Sequence, residues 1–169
     1  TLVKMIGGLY IPDSGTISID NQIITPENED WYREHFTAIY PDFHVFTRIM
    51  GVDEEELDKK AGKMLAKLKI DHKVNVKNGM LSTVSLSQGQ RKRLALMMAY
   101  LEDRPIFIFD EWAADQDPQF KDFFYKELLP ELKSRGKTII AITHDDRYFH
   151  LADRVVKLDY GKMVEYEAA

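Results

Sequence analysis

An α/β fold with a mostly parallel sheet is predicted by three observations. Residues 106–109 are a short, wholly apolar run that stops abruptly at Asp110 and Glu111, as a strand buried on both faces of a parallel sheet does. Residues 138–143 repeat that design. Between them Phe120, Phe123, Phe124, Leu128 and Leu132 recur at helical spacing, so strand, helix and strand follow in order and call for a right-handed crossover. Asp110, Glu111 and His144, which follow the two strands, are thus expected to meet at the sheet's carboxyl edge, where ligands of such folds bind.

The remaining elements take their places around that unit. Residues 16–20 alternate like a half-exposed strand, and residues 37–40 form another before a break at Pro41 and Asp42. From Asp53 onward Leu57, Ala61, Met64, Leu65 and Leu68 mark an amphipathic helix, with acidic residues first and lysines later, as the helix dipole favours. A polar loop is expected around residues 75–79. A second helix runs from Ser87, with Leu94, Met97, Met98 and Leu101 on one face, and Ser87 with Gln90 forms a capping-box pattern at its start. The helix through Phe120 is expected to distort near Pro130 and to stop at Gly136. Residues 153–166 resemble a closing hairpin turning at 160–162.

Composition narrows the functional classes. A chain of 169 residues with 44% hydrophobic content can bury one sizeable core. Its formal charge of -5 supplies no general basic field, so nucleic acid is not an expected partner. The absence of cysteine excludes a disulfide scaffold or thiolate metal site and fits a reducing compartment among others. No apolar run reaches the length of a membrane span, and residues 1–8 lack the pattern of a secretory signal.

The residues after the strands suggest phosphate chemistry. An acidic residue there can hold magnesium, usually through water, because a hard cation takes oxygen ligands and bridges terminal phosphates. Asp110 has that position. Glu111 can polarise an attacking water, and His144 can contact a terminal phosphate or that water. The same residue types also solvate loops and cap helices. In Leu86-Ser87-Gln88-Gly89-Gln90, open amides at a helix start, a hydroxyl and a glycine allow close approach to phosphate, although a well-capped helix is the plainer reading.

In their order these stretches resemble the ATP-binding-cassette family. Leu86-Ser87-Gln88-Gly89-Gln90 is similar to its signature, Ile106-Phe107-Ile108-Phe109-Asp110-Glu111 to its Walker B strand, and Thr143-His144-Asp145 to its switch histidine. Gly8-Leu9-Tyr10-Ile11-Pro12-Asp13-Ser14-Gly15 and Ile17-Ser18-Ile19-Asp20 resemble the stretch that follows its phosphate-binding loop. The resemblance implies a P-loop NTPase-like core lobe over residues 1–45 and 102–169, with a helical signature subdomain inserted over 46–101. It implies ATP and Mg2+ as ligands, and a homodimer that sandwiches two ATP molecules. Ser87, Gln88, Gly89 and Gln90 would serve the partner's nucleotide. Asp110, through a water on Mg2+, Glu111 and His144 would serve the chain's own. Asp117 would take the acidic position of the loop that communicates across the dimer, and it also suits a cap for the helix at Pro118.

Departures from the family pattern carry expectations too. The Gly-rich loop ending in Lys-Ser/Thr is expected ahead of Thr1, so the chain by itself is expected to bind ATP weakly and to be inactive. Pro41 stands at the usual glutamine position, with Asp42 as a substitute metal contact, and Gln88 replaces the commoner second glycine of the signature. Two longer strings, Asp110-Glu111-Trp112-Ala113-Ala114-Asp115-Gln116-Asp117-Pro118 and His144-Asp145-Asp146-Arg147-Tyr148-Phe149, resemble the branch that exports cyclic peptides, microcins and siderophore precursors from bacteria. Asp42-Phe43-His44-Val45-Phe46 agrees with it. That branch carries a membrane domain on the same polypeptide and works at the cytoplasmic face of the inner membrane. The rival readings are a soluble ATPase of DNA repair or translation, disfavoured by the short span between Pro41 and Ser87, and a non-hydrolysing module, disfavoured by Asp110, Glu111 and His144.

Overall fold

The computed structural model of the chain describes residues 2–50 and 56–166. A short helix α1 (Leu2–Ile6) leads to a hairpin of two-residue strands, β1 (Ser18–Ile19) and β2 (Gln22–Ile23). Asp20 and Asn21 between them take φ of 47° and 65°, the twist that a two-residue hairpin turn requires and short polar side chains tolerate. That turn trims the strand expected over 16–20. Helix α2 (Glu29–Arg33) follows, then β3 (Phe36–Ile39). Neither α1 nor α2 was foreseen from periodicity, since five residues are too few to display one.

The middle of the chain is helical. Helix α3 (Leu57–Lys67) buries Leu57, Ala61, Met64 and Leu65, the face the spacing predicts. Asp53, the expected start of that helix, lies outside the described residues. The expected loop at 75–79 is instead a hairpin of β4 (Val76–Lys77) and β5 (Met80–Leu81). Its turn is Asn78-Gly79, with φ of 51° and 70°, and Asn-Gly is the pair that adopts this conformation at least cost. Helix α4 (Gln88–Glu102) starts where predicted, and both halves of the capping box form: Ser87 Oγ accepts from the Gln90 N–H, and Gln90 Oε1 accepts from the Ser87 N–H.

The last third holds the predicted crossover. Strand β6 (Ile106–Asp110) is followed by a 3-10 turn (Trp112–Asp115), helix α5 (Pro118–Phe123), a π-helical turn (Phe124–Leu128), helix α6 (Leu129–Ser134) and β7 (Thr138–Ile142). The π turn is the expected distortion: it sits just ahead of Pro130, which has no N–H to donate and crowds the preceding turn. A second 3-10 turn (Asp146–Leu151) precedes the hairpin of β8 (Val155–Asp159) and β9 (Lys162–Tyr166).

Strands β3, β6 and β7 form a parallel sheet with β6 in the centre. Both faces of β6 are covered. Phe107 and Phe109 pack with Trp112, Phe120, Phe124, Leu128 and the apolar faces of α3 and α4, whereas Ile108 packs with Tyr32 and Phe36 on the other side. β7 departs from expectation. No residue of it is fully buried and Ala141 is exposed, because β7 is an edge strand of the described sheet.

Candidate functional site

The carboxyl edge of β6 and β7 brings the predicted polar residues together. Asp110 closes β6, and Glu111 begins the turn beyond it in the left-handed conformation, φ 49° and ψ 32°. A non-glycine residue adopts that conformation only when its surroundings hold it there. Here the Glu111 N–H donates to the Ile142 carbonyl at the end of β7, at 3.0 Å. Its own carbonyl accepts from the Ala114 N–H at 3.2 Å and from Lys92 Nζ at 2.8 Å. Pinned in this way, the Glu111 carboxylate lies 3.3 Å from His144 Nε2. The imidazole is 89% exposed and the carboxylate 45% exposed, so a solvent-borne ligand can reach both.

The turn that follows His144 is held by its own contacts. Asp145 takes two hydrogen bonds from Arg147, 2.8 and 2.6 Å, and its N–H donates to Thr143 Oγ1. The Arg147 guanidinium holds the Asp145 carboxyl below its usual range. Tyr148 stacks on Tyr125 and donates to Asp122, and burial with that contact pushes its phenol up to about 12. The β7 edge is thus bolted to the π-helical turn.

Asp110 sits in a less favourable place for a charge. Burial raises its carboxyl, and the adjacent Glu111 charge and the Asp42 carboxylate raise it further. Asp42 itself is 3.7 Å from Lys4 Nζ. The Tyr40 hydroxyl is buried without a hydrogen-bond partner among the described residues, and the charges of Asp110 and Asp42 add to the effect of burial in raising its phenol. Among the described residues no cluster of three or more His, Cys, Asp or Glu side chains is placed to hold a metal. Asp110 and Asp42 offer carboxylate oxygens, the donor type magnesium takes when it keeps waters and draws its other ligands from phosphate.

The signature-like stretch lies against a different partner. Gln88 Nε2 donates to Asp115 at 3.1 Å, and the Gly89 carbonyl accepts from Gln116 at 3.0 Å. A Cβ on Gly89 would come within 2.8 Å of the Asp115 carbonyl, closer than such atoms approach, so the contact admits only glycine. Arg93, one turn on, donates to Gln116 and Asp117 at 2.9 and 2.8 Å, and its guanidinium lies 3.6 Å from the centre of the Phe120 ring. Asp117 also caps α5, accepting from the Phe120 N–H at 2.9 Å. Ser87 and Gln88 remain exposed. Residues 88 and 89 thus lie against residues 115 and 116, with Arg93 reaching Asp117, whereas Glu111 meets His144 at the carboxyl edge of the sheet.

A family model described as ABC transporter matches residues 1–114, which take in residues 87–90, Asp110 and Glu111. The chain belongs to the ABC transporter family. It is 53% identical over 167 residues to the ATP-binding protein SyrD of Pseudomonas syringae pv. syringae, a match covering 97% of the chain and 30% of SyrD. It is 29% identical over 176 residues to the energy-coupling factor transporter ATP-binding protein EcfA1 of Mycoplasma pneumoniae, covering 97% of the chain and 62% of that protein. A solved structure of cbiO1 from Clostridium perfringens, described as part of the ABC transporter complex cbiONQ, superposes with a TM-score of 0.74 at 27% identity, covering 96% of this chain and 69% of that one. The chain thus spans under a third of SyrD and under two thirds of EcfA1. An ABC-type P-loop NTPase fold accounts for the central parallel sheet and its covering helices.

Sequence reasoning missed Lys92, Arg93, Asp115 and Gln116. Lys92 stands between Arg91 and Arg93, yet it is only 3% exposed. The available signal was α4 itself, whose apolar residues occupy nearly every face, so that some charges had to lie inside.

Proposed function

We propose that this chain is the ATP-hydrolysing part of a bacterial exporter of a peptide or peptide-like molecule. The observation that carries the hydrolytic reading is the Glu111–His144 contact at the carboxyl edge of β6 and β7, next to the partly buried Asp110. In this reading Glu111 orients a water and takes its proton as the water oxygen bonds to the terminal phosphorus of ATP. The bond to the bridging oxygen breaks, ADP leaves with that electron pair, and the proton passes on to phosphate. His144 holds the Glu111 carboxylate and faces the terminal phosphate. Asp110, with Asp42 as an auxiliary, would hold Mg2+ through water, and the ion when bound offsets phosphate charge.

In this reading the arrangement is shared: Ser87, Gln88, Gly89 and Gln90 face the nucleotide of a second copy. Asp117, beside them, lies at the boundary between copies. Residues 1–45 and 102–169 are read as the core lobe and 46–101 as the helical subdomain. Phe46, Met50 and Met80 are exposed on the latter, a surface of the kind that membrane-domain helices cover. No helix among the described residues is long and apolar enough to cross a membrane, and most of SyrD lies outside the match. We read the chain as a motor at the cytoplasmic face attached to a membrane domain, as the motif strings at 110–118 and 144–149 imply. The export direction and the cargo class rest on the motif strings at 110–118 and 144–149.

Glu111→Gln in the full-length protein tests the chemistry. ATP turnover is expected to fall by about a hundredfold or more. Undiminished turnover would sink the assigned role.

A further inference from the structure

We infer that Lys92 is a positioning residue for hydrolysis, fixing the main chain of Glu111 from within the helix that opens with the signature-like stretch. The inference rests on Glu111 acting as the base, as proposed above. The Lys92 ammonium is buried at 3% exposure, where a charge persists only if paired and hydrogen-bonded. It meets both needs at one place, donating to the Glu111 carbonyl at 2.8 Å and pairing with Asp115 Oδ2 at 2.8 Å.

The tie runs both ways. Trp112, the next residue after Glu111, donates its indole N–H to the Lys92 carbonyl at 3.0 Å. Its ring is fixed in turn by stacking on Phe124 at 4.3 Å. Residues 111 and 112 are therefore both bonded to a single residue of α4. Left-handed backbone at Glu111 aims its carboxylate at His144, and a carbonyl held by the Ala114 N–H alone, at 3.2 Å, would keep that aim less tightly than one also held by Lys92 at 2.8 Å. Small errors in the placement of a base cost rate far more than they cost binding.

Lys92 stands three residues after Gly89, hence on the same face of α4 one turn later. Gly89 touches Asp115 and Gln116, and Lys92 touches Asp115 and Glu111. A nucleotide seated against the first turn of α4 would thus act on Glu111 through one rigid turn of helix. The base at one nucleotide would feel whether the other is present.

Lys92→Met removes both donations with little change of shape, and Lys92→Gln is a second neutral substitution too short to reach Glu111. Each is made in the full-length protein and compared with wild type and Glu111→Gln for ATP turnover, equilibrium ATP binding and thermal midpoint. The expected result is a fall in kcat of about tenfold to a hundredfold, with ATP affinity within about twofold of wild type and a midpoint close to it. Wild-type kcat in either folded variant would overturn the inference. So would a loss of kcat and affinity in step with the folded fraction, or failure of both variants to fold, since each marks a lysine that serves structure alone. Should Glu111→Gln hydrolyse ATP at the wild-type rate, the failure lies with the base assignment instead.

Discussion

Charge at the edge of the sheet is settled residue by residue, and the settlements differ in sign. Asp145 is held below its usual range by Arg147, so the fold gains from its ionisation. That gain is complete above the ordinary carboxylate range and is lost as pH falls through the lowered folded value. Asp145→Asn should therefore lower the thermal midpoint of this domain at pH 7, and the difference from wild type should close on acidification. A midpoint difference that stays constant with pH would contradict the pairing. Gly89 makes a different demand, since its lack of a side chain is what lets α4 touch the Asp115 carbonyl. Gly89→Ala is expected to cost about 1–3 kcal/mol by overpacking, read as a lowered midpoint of the domain's unfolding transition.

At the level of elements, the crossover from β6 through α5, the π turn and α6 to β7 places the chemistry, and its core is aromatic. Phe109, Trp112 and Phe124 lie against one another, and all are at most 1% exposed. Trp112→Ala should destabilise the domain by about 3–5 kcal/mol, and it also removes the bond to Lys92, so turnover should fall even in the fraction that remains folded. This crossover was legible in the sequence because its strands are apolar without interruption and its helix repeats phenylalanine at helical spacing. The meeting of Asp110, Glu111 and His144 followed from strand order alone. What the sequence concealed was shorter or longer in range. Helices α1 and α2 are too brief for periodicity, and the Asn78-Gly79 hairpin passed as loop because its strands have two residues each. Lys92 and Gln116 take their roles from contacts 19 to 27 residues away along the chain, and a basic run gives no sign of which of its side chains turns inward.

On the scale of the whole molecule, the proposed function assigns two groups of polar residues to different nucleotides. Ser87 to Gln90 lie with residues 115–117, and Glu111 lies with His144. In a pair of copies each group would serve a different nucleotide, and α4 would join the two through Lys92. The measurement that tests this most directly uses two forms of the full-length protein, one carrying Gly89→Asp and the other Glu111→Gln, each inactive as a pure sample. They are produced together and purified through two different tags, so that every pair holds one of each. If the two groups serve different nucleotides, one site in each mixed pair keeps both an intact signature and an intact base, and ATP hydrolysis returns to about half the wild-type rate. Mixed pairs as inactive as either parent would contradict the account.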